Sequence, residues 1–103
     1  MVSESSNNSE SSIYVDKEKI EFPLELRPWK TGDVFCPIGM KGSKKVSKYF
    51  KDEKLSLLEK ENIWLLSSGQ DIIWIIGRRA DERFKVTDKT TDILKISLLN
   101  ANS

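Results

Sequence analysis

In "KIEFPLELRPW", apolar residues recur at every second position: Ile20, Phe22, Leu24 and Leu26 alternate with Glu21, Pro23 and Glu25. A period of two predicts a strand with one buried face. Pro23 has no amide hydrogen to give a ladder, so the strand is expected at a sheet edge or a bulge. "KTGD" at 30–33 reads as a turn. "VFCPI" at 34–38 reads as a short strand stopped by Pro37 and Gly39. Beyond Ser43 the period changes: Val46, Tyr49 and Phe50 fall at i, i+3 and i+4. That spacing predicts one short amphipathic helix to about Lys51, with Ser43 as its N-cap. "LSLLEKEN" fits either a further helical turn or a loop that packs Leu55 and Leu58.

The clearest element is a hairpin. "IWLL" and "IIWIIG" flank the five turn residues "SSGQD". Their continuous apolarity predicts strands buried on both faces or inside a barrel. "SSGQD" lacks the second glycine, the serine and the helix that a pyrophosphate-binding loop requires, so a turn is the reading. "RRADERF" is predicted to leave the second strand as a charged loop, and "KVT" and "DILKISLL" supply one or two last strands. The class is α+β and mostly β. Residues 1–12, "MVSESSNNSESS", offer almost nothing to bury and are expected to form a disordered tail or linker. The domain then spans 13–103, long enough for one modest core.

Charge refines this picture through its distribution. The net charge of the 103-residue chain is +1. Residues 1–25 hold six acids and two lysines, whereas residues 26–103 hold fifteen bases and ten acids. The folded part is therefore basic behind an acidic lead, which favours an anionic partner. Histidine is absent and Cys36 is alone, which excludes the zinc-site spacings and an intrachain disulfide. No apolar run is long enough for a signal peptide or a bilayer span. The expected setting is the reducing cytoplasm, without a membrane.

Two basic groups are candidates for chemistry. "GMKGSKKVSKYFKDEK" at 39–54 carries six lysines and two acids. On the predicted helix, Lys44, Lys48 and Lys51 share one sector opposite the aromatic face. No acid stands at i+4 from Lys44, so the face shows water a ridge of like charge, which costs a few tenths of a kcal/mol. Gly39 and Gly42 precede the expected helix N-terminus, a place suited to phosphate. The competing reading is a solvated helix face. The second group is "RRADERFK", where Arg78, Arg79, Arg83 and Lys85 surround Asp81 and Glu82. Arginine forks suit phosphate and RNA edges; the competing reading is a self-paired loop. Trp29 is read as packing rather than as a stacking platform. The adjacent carboxylates aim at no common point, so no catalytic residue and no cofactor or metal ligand is assigned.

Taken together, "LRPWKTGDVFCPIGMKGSKKVSKYFKDEK" and "NIWLLSSGQDIIWIIGRRADERFKVT" resemble the C-terminal domain of bacterial tRNA(Ile)-lysidine synthetase over residues 26–87. The matching elements include Gly32–Asp33, Pro37, Gly39–Met40, Gly42, Lys44–Lys45, Phe50, Gly77, Arg79, Asp81 and Arg83–Lys85. The chain departs from the family pattern at Val34, Lys48 and near Ser56. The resemblance implies a small closed or partly closed Greek-key-like barrel, related to a domain of the phenylalanyl-tRNA synthetase β subunit. It implies a non-catalytic domain that contacts the acceptor-stem region of tRNA(Ile). An N-terminal catalytic domain of the parent ligase, using ATP with Mg, would convert the wobble cytidine to lysidine. The implied tRNA-binding residues are Lys41, Gly42, Lys44, Lys45, Lys48, Arg79, Arg83 and Lys85, with Asp81 orienting an arginine. The alternative is a protein-interaction module using the basic helix or a sheet edge.

Overall fold

The computed structural model describes residues 12–98. The tail expected at 1–12 lies outside the described residues except for Ser12. That residue opens β1 (Ser12–Asp16), which pairs antiparallel with β8 (Ile93–Ser97). The central sheet is antiparallel, in the order β2 (Leu24–Pro28), β5 (Trp64–Ser68), β6 (Asp71–Ile75) and β7 (Arg79–Ala80). β2 begins just after Pro23 and lies at the sheet edge, as a strand beside a proline should. β3 (Val34–Phe35) and β4 (Lys44–Lys45) form a third, short ladder. The α+β, mostly β class is observed, and the sheets stay open instead of closing into one barrel.

The β5–β6 hairpin forms as predicted, but with a tighter turn. Ser67, Ser68 and Asp71 are strand residues, and only Gly69 and Gln70 turn the chain. Gly69 has φ +60°, the left-handed geometry that a two-residue hairpin demands at its first turn position. The hairpin divides the interior in two. Leu65, Ile72 and Ile75 face a core with Phe35, Val46, Tyr49, Phe50 and Ile63. Leu66, Ile73 and Trp74 face a second core with Val15, Ile20 and Phe84. Adjacent residues Ile73 and Trp74 share a face because the register shifts between Leu66 and Ser67, leaving one extra residue on β6. Both faces of the hairpin are thus covered, which is why its sequence is apolar without alternation.

Among the described residues, two α-helices are present where one was predicted. α1 (Val46–Asp52) buries Val46, Tyr49 and Phe50, the predicted face, but begins three residues after Ser43. Lys44 and Lys45 remain extended, paired to Phe35 and Val34, and the Val46 amide donates to Asp33 O at 2.9 Å. Seating Phe35 and Val46 in the core outweighs a serine cap, which contributes about 1 kcal/mol. α2 (Leu57–Glu61) resolves "LSLLEKEN" in favour of a helix. Ser56 accepts from the Glu59 amide while Glu59 accepts from the Ser56 amide, a full capping box.

Candidate nucleic-acid interface

The loop 38–43 is exposed except for its first residue, which is half-buried. Lys41 and Gly42 lie at its tip. Gly42 has φ +82°, and a β-carbon there would meet nothing within 4 Å, so the space beside it is open. At the base of the loop, the Ile38 amide donates to Ala80 O at 3.0 Å and Gly39 N–H donates to Glu82 Oε1 at 3.0 Å. Arg79 Nη1 donates to Ile38 O at 3.1 Å, and its guanidinium stands 5.9 Å from the Tyr49 ring centroid. Arg79 therefore ties β7 to both the loop and α1. The two basic groups that are separate in sequence become neighbours around this loop.

The predicted helix N-terminal phosphate seat is not formed. Gly42 and Ser43 precede a strand, and the Val46 amide is already satisfied by Asp33 O. The predicted lysine ridge also changes. Lys44 leaves the helix face, and its side chain, only 17% exposed, pairs with Asp52 at 2.5 Å. Lys48 lies 3.9 Å from the same carboxylate. The acid missing at i+4 from Lys44 is supplied at the end of α1, because β4 places Lys44 alongside the helix instead of in it. The Lys44 hydrogen bond holds the Asp52 carboxyl below the usual carboxylate range against a smaller opposing effect of burial. Lys45 and Lys48 keep exposed side chains.

The second basic group is largely self-paired. Asp81 is buried and accepts from the Cys36 amide (2.8 Å), the Arg83 amide (2.7 Å), Arg83 Nε (3.0 Å) and Arg83 Nη2 (2.9 Å). It thus orients Arg83, whose guanidinium also reaches Asp71 at 3.4 Å. The Asp81 hydrogen bond raises the Arg83 pKa above its ordinary value. Lys85 pairs with Glu82 at 2.5 Å, and Arg78 approaches Glu59 at 3.7 Å. The Lys85 hydrogen bond, followed by the Gly39 amide, lowers the Glu82 pKa.

Sequence reasoning missed a groove between α1 and α2. It is about 550 Å³ and is lined by Ser47, Lys48, Lys51, Lys54, Leu55 and Lys60. Recognising "SLLE" as a capping box would have placed α2 and brought Lys60 beside α1. Trp29 supports this wall: its indole N–H donates to Lys60 O at 3.0 Å, and its ring meets Phe50 edge-on at 5.0 Å. The packing role read for Trp29 is the one observed.

Residues 24–98 match the family described as "TilS substrate C-terminal domain". The chain is 51% identical over 86 residues to a tRNA(Ile)-lysidine synthase of Parabacteroides distasonis, covering 84% of this chain and 20% of that protein. It is 37% identical over 90 residues to the tRNA(Ile)-lysidine synthase of Caldanaerobacter subterraneus subsp. tengcongensis, covering 87% and 19%. The chain thus spans about one fifth of the length of the curated relatives it matches. Among solved structures, a crystal structure of a TILS C-terminal domain superposes with a TM-score of 0.70 at 19% identity, covering 88% of this chain and 73% of that one. An N-terminal fragment of the phenylalanyl-tRNA synthetase β subunit from Pyrococcus horikoshii superposes with a TM-score of 0.68 at 18% identity, covering 82% and 26%. These two likenesses show a shared fold.

Proposed function

Since this chain belongs to the family of TilS substrate C-terminal domains, we propose that it is the tRNA-recognition part of a cytoplasmic, ATP-dependent tRNA(Ile)-lysidine synthetase. It holds the acceptor-stem region of tRNA(Ile) while a catalytic domain outside this sequence modifies the wobble cytidine. The chain itself performs no chemistry in this reading. Among the described residues, no cluster of three or more metal-ligating side chains could hold a metal ion. In this reading ATP and Mg are used by the catalytic domain. No helix among those residues is long and apolar enough to cross a membrane.

The observation that carries this reading is the meeting of the two basic groups. Arg79 bonds the loop and overlies Tyr49, which draws loop 38–43, α1 and β7 into one neighbourhood. Lys41, Lys45 and Lys48 are its exposed cations, and Gly42 lets a backbone approach the loop tip. Lys44, Arg83 and Lys85 hold carboxylate partners. They act as charges positioned by those carboxylates. The acceptor stem is duplex RNA, so shape and 2′-hydroxyl contacts carry selectivity. Phosphate contacts of this number give Kd values of about 10⁻⁴ to 10⁻⁶ M, steeply dependent on salt, and tethering to the catalytic domain raises the effective concentration.

Fluorescence anisotropy with an isoleucine tRNA acceptor minihelix, at two salt concentrations, tests the proposal. Lys45→Glu combined with Lys48→Glu is expected to weaken binding by roughly tenfold or more. Unchanged binding by that variant would reject these residues as the site. Failure of the unaltered chain to bind the minihelix would reject the function and favour the protein-interaction alternative.

A further inference from the structure

We infer that the groove between α1 and α2 is a phosphate-binding channel for the backbone of A-form RNA, with Lys51, Lys54 and Lys60 as its contacting cations. This rests on the tRNA-binding reading above and extends it to residues that reading does not use.

The groove lining contains four lysines and no acid. Among the described residues, Lys51, Lys54 and Lys60 have no carboxylate within ion-pair distance, whereas the arginines of the second basic group at 78 and 83 do. Lys48 and Lys51 are also neighbours at i and i+3 on α1, a like-charge arrangement that weakens a helix. Lys51 and Lys60 complement the helix dipoles from the last turns of α1 and α2, and Lys48 has Asp52 at i+4, but Lys54 lies outside both helices and gains neither support.

The backbone supplies an independent sign. Lys54 has φ +59°, the one non-glycine residue in the left-handed region among those described. It occupies the residue after the α1 C-cap. There the Lys54 amide donates to Lys51 O at 3.0 Å and the Leu55 amide donates to Phe50 O at 3.1 Å. This is the Schellman arrangement, in which glycine is the usual occupant because a β-carbon is strained. Leu55 packs against the core that contains Phe50, which fixes the turn. A lysine is thus held over the groove at a position where glycine would be more stable. The opposite wall is equally fixed by the capping box and by the Trp29 hydrogen bond to Lys60 O. Backbone and side-chain hydrogen bonds thus hold both walls.

The lining also selects the ligand class. It has no aromatic ring on which an unpaired base could stack, and no arginine, asparagine or glutamine to read a base edge. Compact ammonium groups with the Ser47 hydroxyl suit successive phosphodiesters of a duplex, irrespective of sequence.

The probe is a fluorescein-labelled 12-base-pair RNA duplex of arbitrary sequence, titrated with the intact chain at several salt concentrations. Lys54→Gly is expected to keep or raise the urea midpoint, because it relieves the left-handed lysine, while weakening duplex binding roughly three- to tenfold. Lys51→Gln with Lys60→Gln is expected to lower the salt slope of log K by about two. Groove variants that bind the duplex as tightly as the unaltered chain, while Lys41→Glu with Lys45→Glu, both outside the groove lining, weakens it, would overturn the channel and leave the tRNA reading intact. Competition by poly-glutamate at equal charge concentration as effective as that by unlabelled duplex would also overturn the phosphate assignment. An unaltered chain that binds no RNA would overturn the tRNA reading itself.

Discussion

Two buried carboxylates, Asp33 and Asp81, organise the ends of β3 through backbone and arginine donors. Asp33 accepts from Arg27 Nη1 and Nη2 at 3.0 and 2.9 Å and from the Lys30 amide at 2.7 Å. Asp81 accepts from the Cys36 amide and from Arg83. Burial alone would push the Asp33 carboxyl up, but the Arg27 and Lys30 hydrogen bonds together exceed it and leave the pKa below its ordinary value of 3.8. A carboxyl lowered by folding contributes stability that is complete above its unfolded value. That contribution is lost as pH falls through the lower folded value. Urea midpoints measured between pH 5 and pH 2.5 should therefore fall less steeply for Asp33→Asn than for the unaltered chain. Equal acid slopes would show that the Arg27 pair does not couple folding to protonation. The Asp81–Arg83 pair was legible in "RRADERF", because its members are two residues apart. The Arg27–Asp33 pair was not, since only the return of the chain after the Gly32 turn brings its members together.

At the scale of elements, local signals held where they agreed with packing and failed where they competed with it. Ser43 looked like an N-cap, yet β4 pairing keeps it outside the helix. Ser56 is the cap that forms, with Glu59 closing the box. Ser56→Ala should lower stability by about 1 kcal/mol, read from the urea midpoint. Amide exchange at Glu59 should accelerate, since its N–H loses the serine oxygen. A change confined to other elements would mean that α2 is held by Trp29 alone. The lysine stretch was divided in the same way: Lys44 went to a strand and a carboxylate, while Lys51 and Lys54 stayed with the helix and its end.

For the whole molecule, the β5–β6 hairpin is the shared wall of two cores, so the cores should not unfold separately. Leu65 is fully buried on one side of it. Leu65→Ala should cost about 2–5 kcal/mol through lost burial and a residual cavity. NMR signals of Phe50, in the core it touches, and of Phe84, in the other, should vanish at the same lowered urea midpoint. Separate midpoints would show that the sheet does not transmit the loss.

The sequence alone determined the mostly β class, the doubly buried hairpin, the buried face of α1 and the family. Each is written in local periodicity or in an ordered string of residues. The open sheets, the β6 register shift and the partners of the lysines were decided by tertiary structure. They depend on which distant backbone the chain meets: β3 draws Lys44 out of the helix, and Trp29, thirty-one residues earlier, fixes Lys60. Charge could be counted along the chain. Whether a lysine met a carboxylate or lined a groove was settled only by folding.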